Sequence, residues 1–480
     1  IIVSHHTSIQ ALAFSRRDDK GTGDWTQWDY EGSLGGDVDP TWPRMATSGE
    51  NNEYIHVFYN SYNDIAPMGQ RMYYSRSMDG GESWDPEDVI LDGTGDDSYF
   101  DLDGDDQTIA VRGNTVVMFN TSKWTDAFIM KSEDNGDTWE KTVVWEHPYP
   151  MFDWAVSQTD TFWCSGGSGS VAIDTDGKVH VVFSLALVLY DTPGSNTYGT
   201  FISPYVDGVV YWNEDMPTIG LDNSHINTLA PPIYEEPESE LAVDENYIGW
   251  TQDVDGSGSI EMENDKIITY RASGVSNWPS IIVDDDNQIF LVYSTPTEGY
   301  SNFDFYYRKI WGRAFANGSW GPFFHVTEPF VHIFDESVYT TLSYTSDGYL
   351  HLLYQNDGEP GHNLNGTPDH DPVQNNMIYS KIPKTDFLTG IGDDDHSVIS
   401  SESVTQNYPN PFTDYSTISV YLDQSADLRL EVTNLIGQRV FAQDRGSVST
   451  GTYHFTVDAR SYEPGIYFYT VTAGSSTVTK

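Results

Sequence analysis

The stretch Ser77-Met-Asp-Gly-Gly-Glu-Ser-Trp84 decides the fold of this chain. It follows the strand-like run Arg71 to Arg76 and fits the pattern S-x-D-x-G-x-x-W. The pattern returns from Ser132 to Trp139 as SEDNGDTW, behind the apolar run Ala127 to Met130. The chemistry of such an octet is local. Asp79, or Asp134 in the second copy, can accept hydrogen bonds from backbone N–H groups of its own turn. Gly81 or Gly136, two residues on, permits a backbone conformation that other residues resist. Trp84 or Trp139 is large enough to fold back over the turn and bury it. Each octet, opened by Ser77 or Ser132, predicts the self-supporting turn of a β-hairpin.

A longer repeat underlies the octets: a strand, a polar turn, then a more apolar strand. Its copies begin at Pro43, Thr108, Ser170, Glu240, Ser280 and Thr341, and their second strands run from Tyr54, Thr115, Val179, Tyr247, Gln288 and Tyr349. Most copies lie roughly 60 residues apart, the length of a four-stranded blade with generous loops. The near-continuous apolar second strand suits a strand buried on both faces. Six copies predict six blades. The sixth is short of one strand, and the run Ile9 to Phe14 is expected to supply it, closing the ring.

Composition agrees with many strands and many turns: 14% aromatic residues, 41 Gly, and no apolar run long enough to span a membrane. The formal net charge of −50 argues against binding nucleic acid or an anionic membrane through charge. The single cysteine, Cys164, excludes an intramolecular disulfide and reads as a small buried residue. No phosphate-cradling Gly-rich loop opens a helix, so neither a nucleotide nor a redox cofactor is expected. A chain opening Ile1-Ile2-Val3 without Met fits removal of a signal peptide.

The octets resemble the Asp box of the sialidase-like (BNR) β-propellers. The resemblance implies a propeller over residues 1–384 and places the octets on its rim, away from the central site. Residues 385–405 read as a linker. Residues 406–480 alternate as a small β-sandwich, and Gln406-Asn-Tyr-Pro-Asn-Pro-Phe412, Asn434-Leu-Ile-Gly-Gln438 and Pro464-Gly-Ile-Tyr-Phe-Tyr469 stand there in order. This looks like the type A C-terminal sorting domain of the type IX (Por) secretion system. That resemblance implies an immunoglobulin-like sandwich, a bacterium of the Bacteroidetes or relatives, engagement of the type IX machinery, and a place on the cell surface or in the medium. The expected fold is therefore all-β: a six-bladed propeller followed by a sandwich.

Propellers place function around the central axis, where the innermost strands start. The segments entering those strands supply Trp42 and Arg44, Asp103 and Asp106, Trp278, and Glu336. Trp42, Arg44, Trp278 and Glu336 are candidate ligand-binding residues. Glycoside cleavage needs two suitably separated carboxylates, and Asp103 or Asp106 with Glu336 could serve. A catalytic sialidase would use three Arg and a Tyr–Glu pair. Arg44 lies in the right region, while Arg271, Arg308 and Arg313 have no spacing that marks them as partners. Two loops resemble calcium sites. Asp253, Asp255, Ser257 and Ser259 follow the early positions of an EF-hand loop, but Asn264 stands where the bidentate Glu would be. Asp101, Asp103 and Asp105 form a second alternating loop. The stretch His362 to His370, with Asp369 and Asp371, is a third, weaker metal candidate.

These observations favour an exported, non-catalytic protein that binds a glycan or a surface protein, with Ca2+ as the one cofactor to consider. The alternatives are an exo-acting glycosidase and a structural component of a surface layer or filament.

Overall fold

The computed structural model describes residues 2–6, 11–17, 21–30, 32–33, 39–61, 69–102, 104–194, 200–201, 206–220, 246–254, 260, 262–268, 270, 274–302, 304–327, 334–343, 347–363, 369–388, 403–422, 425–474 and 476–480. They form two compact units, one from residues 1–252 and 259–391, the other including 392–480.

The larger unit contains six antiparallel sheets among the described residues. The first is β1 (Ile2–His6), β2 (Leu12–Arg16) and β3 (Thr26–Tyr30). The second is β4 (Pro40–Ser48), β5 (Tyr54–Ser61) and β6 (Met72–Ser77). The third is β7 (Gln107–Arg112), β8 (Thr115–Asn120), β9 (Ala127–Ser132) and β10 (Glu140–Trp145). The fourth holds β11 (Phe162–Ile173), β12 (Val179–Leu189), the short β13 (Thr200–Phe201), β14 (Val209–Asn213) and β15 (Tyr247–Gly249). The fifth holds β16 (Asn277–Val283), β17 (Ile289–Ser301), β18 (Tyr306–Ala316), β19 (Ser319–Trp320) and β20 (Phe324–His325). The sixth is β21 (Glu336–Leu342), β22 (Tyr349–Asp357) and β23 (Asn376–Pro383), followed by the one-turn helix α1 (Lys384–Leu388).

The inner strands stand side by side in chain order: β1 by β4, then β7, β11, β16 and β21. They run in one direction. At their starts, the Arg44 guanidinium donates to the carbonyls of Gln107 (2.6 Å) and Asp105 (2.9 Å). At their ends, Arg112 donates to the carbonyls of Ile173 (3.2 Å) and Val283 (3.3 Å), so three sheets meet around one side chain. A cavity of about 340 Å³ opens there, lined by the ends of β7, β11 and β16. This is the architecture of a propeller. Second strands such as β5, β8 and β12 are buried nearly throughout, because each is covered on both faces by neighbouring sheets.

The octets join the third strand of a sheet to its outer edge. Asp79 Oδ1 accepts the N–H groups of Glu82 (3.0 Å) and Ser83 (2.8 Å), and Ser77 Oγ accepts that of Gly81 (2.8 Å). Asp134 Oδ1 accepts the Thr138 N–H at 2.9 Å, and Ser132 Oγ that of Gly136 at 2.8 Å. The tryptophans do more than cover their own turns. Trp139 packs on Phe58 and Tyr74 of the second sheet, and Trp84 on Phe14 and Tyr30 of the first. Each octet staples its sheet to the preceding one.

Two expectations need correction. The N-terminal run does not complete the sixth sheet. Leu12 to Phe14 lie in β2, paired on one edge by β1 and on the other by β3, while Ile9 and Gln10 fall outside the described residues. Leu12 and Phe14 are fully buried against Val57, Tyr59 and Tyr73, so the N-terminal segment forms a sheet of its own beside the second. The fourth repeat does not start a blade either. Residues 240–245 fall outside the described residues, and Tyr247–Gly249 pairs with β14 as an outer strand. An outer strand covered by the next sheet carries the same apolar signature as an inner one, and Ile248 is buried.

The smaller unit is a β-sandwich. One layer pairs β24 (Tyr415–Leu422) with β27 (Gly451–Asp458); the other has the order β26 (Arg439–Val448), β25 (Ala426–Asn434), β28 (Tyr467–Ala473), β29 (Ser476–Thr479). Alternate residues of both layers, among them Ile418, Val420, Leu428, Leu430, Phe455 and Val471, close the core between them.

Candidate functional site

The inner strands β4, β11, β16 and β21 share a defect near their starts. Each carries extra residues opposite its partner strand, shifting the register between Thr41 and Arg44, Ser165 and Gly169, Asn277 and Ser280, and Val338 and Thr341. In each bulge one residue takes a left-handed backbone: Trp42 (φ 48°), Gly167 (φ 76°), Trp278 (φ 48°) and Tyr339 (φ 57°). For a bulky side chain that conformation costs about 1–2 kcal/mol. A bulge also re-aims its side chain out of the regular alternation. Three large aromatics are thus held, against backbone preference, at the starting end of the inner strands.

Two of them meet. The Trp278 and Tyr339 rings lie 4.5 Å apart, and Tyr270 stands edge-on to Trp278 at 5.0 Å. Behind this cluster lies Glu336 at the start of β21, with Arg308 of β18; each is 1% exposed. Glu336 Oε1 accepts the Tyr270 hydroxyl at 2.8 Å, and its Oε2 accepts the Arg308 backbone N–H at 2.5 Å. The Arg308 guanidinium donates to the carbonyls of Val275 and Ile268 and sits over the Tyr270 and Trp278 rings. Burial pushes the Glu336 carboxyl up to about 7, while the Arg308 charge and N–H pull the other way. Burial raises the Tyr270 phenol as well. Directly opposite Glu336 in the β21–β22 ladder is Asp357, so both carboxylates share one face of the sheet. Burial raises Asp357 too, and its Oδ1 accepts the Glu359 N–H at 3.0 Å.

A recess of about 320 Å³ opens in front of these groups, lined by Tyr270, Tyr339, Gln355, Asp357, His362 and His370 among others. His362 packs on Tyr270 and lies 3.6 Å from the Asp369 carboxylate. His370 donates from Nδ1 to the Asp371 carbonyl, which leaves Nε2 buried without a hydrogen-bond partner. Flat aromatic faces beside amide, imidazole and carboxylate groups suit a polyhydroxylated ring, which offers C–H faces and hydroxyl edges.

Of the residues singled out from sequence, the structure brings Trp278 and Glu336 into this cluster. Trp42 stands in the equivalent bulge of β4, within the strand rather than on the loop before it. Arg44 is committed to the backbone carbonyls that tie the second sheet to the third. Asp106 faces Gly167 and Lys123, between the third and fourth sheets. Asp103 falls outside the described residues. Beside Glu336 the neighbouring carboxylate is Asp357, which sequence reading passed over. Arg308 and Arg313 bond backbone carbonyls in different places, and Arg271 falls outside the described residues. Arg44, Arg308 and Arg313 therefore do not form a carboxylate-binding triad.

Of the calcium candidates, Asp255, Ser257 and Ser259 fall outside the described residues, and Asp253 is half-buried at their edge. Asp101 accepts the Gln70 N–H at 2.7 Å, and the Asp105 carbonyl accepts from Arg44. Among the described residues no group of three or more His, Cys, Asp or Glu side chains is placed to hold a metal ion. Sequence reading also missed Tyr270 and Tyr339; Tyr339 lies only three residues beyond Glu336, but a bulge leaves no periodic signal.

Residues 406–480 match the family described as the secretion system C-terminal sorting domain. No curated protein sequence matches the chain. Similar solved structures include an ulvan lyase of polysaccharide lyase family PL25, at 12% identity over 88% of this chain and 89% of that one (TM-score 0.39). The GH93 α-L-arabinofuranosidase of Fusarium graminearum with arabinobiose is 10% identical over 79% and 86% (TM-score 0.37). A protein of unknown function from Dyadobacter fermentans is 9% identical over 86% and 95% (TM-score 0.34). The sorting domain directs the chain to the cell surface or the extracellular space through the type IX secretion machinery. No helix among the described residues is long and apolar enough to cross a membrane.

Proposed function

We propose that this exported protein binds a glycan in the recess between the fifth and sixth sheets, without cleaving it. One observation carries the proposal: Tyr339, held in a left-handed bulge and packed on Trp278 of a second such bulge, lines a recess together with Tyr270 and the polar side chains of Gln355, Asp357, Asn363, His362 and His370. Strained aromatics persist only where the surrounding structure over-determines them, and such positions cluster at ligand sites. Glu336 lies behind Tyr270, with both carboxylate oxygens already bonded, and so positions the Tyr270 ring. Glycan-array binding on the full chain, paired with assay of released sugar ends, tests the proposal. Tyr339→Ala is expected to weaken binding about tenfold or more, the usual scale for losing one stacked ring. Absence of binding to any glycan, or sugar release by the wild type, would overturn it.

Hydrolysis is favoured by a separate observation: Glu336 and Asp357 sit opposite each other, and burial raises both carboxyls. A carboxyl near 7 is suited to give or take a proton at neutral pH. In that case Glu336→Gln and Asp357→Asn abolish release of sugar while binding persists.

A further inference from the structure

The recess between the fifth and sixth sheets is lined by a carboxylate and, among the described residues, by no Lys or Arg side chain. Asp357 supplies that carboxylate and is 5% exposed. Its Oδ1 accepts the Glu359 N–H at 3.0 Å, and among the described residues no hydrogen bond engages Oδ2. Asp357 lines the recess, so the uncommitted oxygen is the one a ligand can reach.

The neighbouring charges are already engaged. Glu336, opposite Asp357 in the ladder, has both oxygens bonded. The Asp369 carboxylate accepts the His362 N–H at 3.1 Å. The Arg308 guanidinium, 1% exposed, donates to the carbonyls of Val275 and Ile268. The field at Asp357 is negative: Glu359 and Asp335 add to it, and the opposing group is His370, a cation only when protonated. The chain as a whole carries a formal −50. Such a field concentrates cations and repels anions.

A buried carboxylate oxygen without a donor is unfavourable, and a ligand that supplies a donor recovers that loss. A sugar hydroxyl can donate. An ammonium donates with a charge, at roughly twice the strength of a neutral pair. It is also drawn to aromatic faces, and Tyr270 and Tyr339 line the same recess. A uronate or sulfate would bring a second anion against Asp357 with no cationic side chain to receive it. Resting on the reading that this recess takes a glycan, we infer that its ligand is an amino sugar with a free ammonium group, and that Asp357 is the residue that selects it.

The test uses calorimetry on the full chain with disaccharides of glucosamine, N-acetylglucosamine and galacturonate, at a pH where the amine is protonated. Small probes in physiological salt limit the pull of the whole surface. The glucosamine disaccharide is expected to bind about tenfold or more tighter than its acetylated counterpart, the scale of a charge-assisted hydrogen bond over a neutral one. The galacturonate should not bind. Asp357→Asn keeps the shape of the side chain and should abolish the preference while the acetylated disaccharide still binds. A folded Asp357→Asn chain that keeps the preference overturns the proposal, because the attraction would then come from the surface charge at large. Should that variant fail to fold, Tyr339→Ala decides: unchanged glucosamine binding places the sugar outside the recess and overturns the proposal. A wild type that binds the acetylated or acidic sugar as tightly also overturns it, yet leaves glycan binding standing. Binding of no sugar, here or on the array, removes both readings.

Discussion

Replacing Gly136 by Ala probes the staple between the second and third sheets. Gly136 has φ +85°, and an added Cβ would sit 2.1 Å from the Tyr74 hydroxyl. That hydroxyl is bonded to His56 Nδ1 at 2.8 Å; His56 Nε2 is bonded to Ser48 Oγ at 2.7 Å, and Ser48 Oγ donates to Asn135 Oδ1 at 2.8 Å. Burial lowers His56 to about 3, so its ring is neutral and relies on these partners. An alanine at left-handed φ costs about 1–2 kcal/mol. Displacing the hydroxyl strands a buried ring nitrogen, at about 1–3 kcal/mol. The sum, roughly 3 kcal/mol, corresponds to a melting point lower by about 6 °C for a large domain. Gly113 is the control: it has φ +61° with open space around it, so Gly113→Ala meets only the conformational cost. Calorimetry on both variants separates the terms. Equal melting points for the two, to within about 1 °C, would refute the steric argument.

Asp88 accepts hydrogen bonds from Tyr30, Tyr59, Ser75 and both the N–H and hydroxyl of Ser33, locking the first sheet to the second. Asp88→Ala should cost about 3–5 kcal/mol, because several buried donors lose their partner, and limited proteolysis should then cut first within residues 1–33. Glu336 gives a pH signature. Its carboxyl is raised from 4.5 to about 7, so its favourable contribution is complete below pH 4.5 and lost as pH rises through 7. Stability should fall by on the order of 3 kcal/mol across that window, and thermal melts of Glu336→Gln should lack that step. Cys164 is 1% exposed and its thiol is pushed up to about 12 by burial. Iodoacetamide should leave the native chain unlabelled at pH 8 and modify it once denatured.

Most of the fold was legible because its signals are local. The octets are built from bonds spanning four residues, Asp79 to Ser83 and Asp134 to Thr138, so their chemistry is complete within the quoted sequence. The sandwich strands Tyr415–Leu422 and Ala426–Asn434 alternate because each has one face to core and one to water. The errors arose where the signal is not local. A strand between two sheets looks alike whether inner or outer, which is why Tyr247–Gly249 reads as the second strand of a blade although it pairs as the outer strand of the fourth sheet. Leu12 to Phe14 read correctly as a strand, but its partners lie in neighbouring segments that alternation alone does not rank.

The candidate site was legible only in part. Trp278 and Glu336 stood out as an aromatic and a carboxylate entering inner strands. Arg44 stood out equally, and its guanidinium is spent on the carbonyls of the next sheet. Sequence alone determined what the local chemistry of side chain and turn can determine: strands, octet turns, an exported chain with a sorting domain, and a surface unsuited to polyanions. Only the tertiary structure decided which sheet is first, that each octet tryptophan reaches the sheet before its own, and that Asp357 rather than Asp106 stands beside Glu336. Register, bulges and inter-sheet packing set those outcomes, and they are fixed by contacts between residues far apart in the chain.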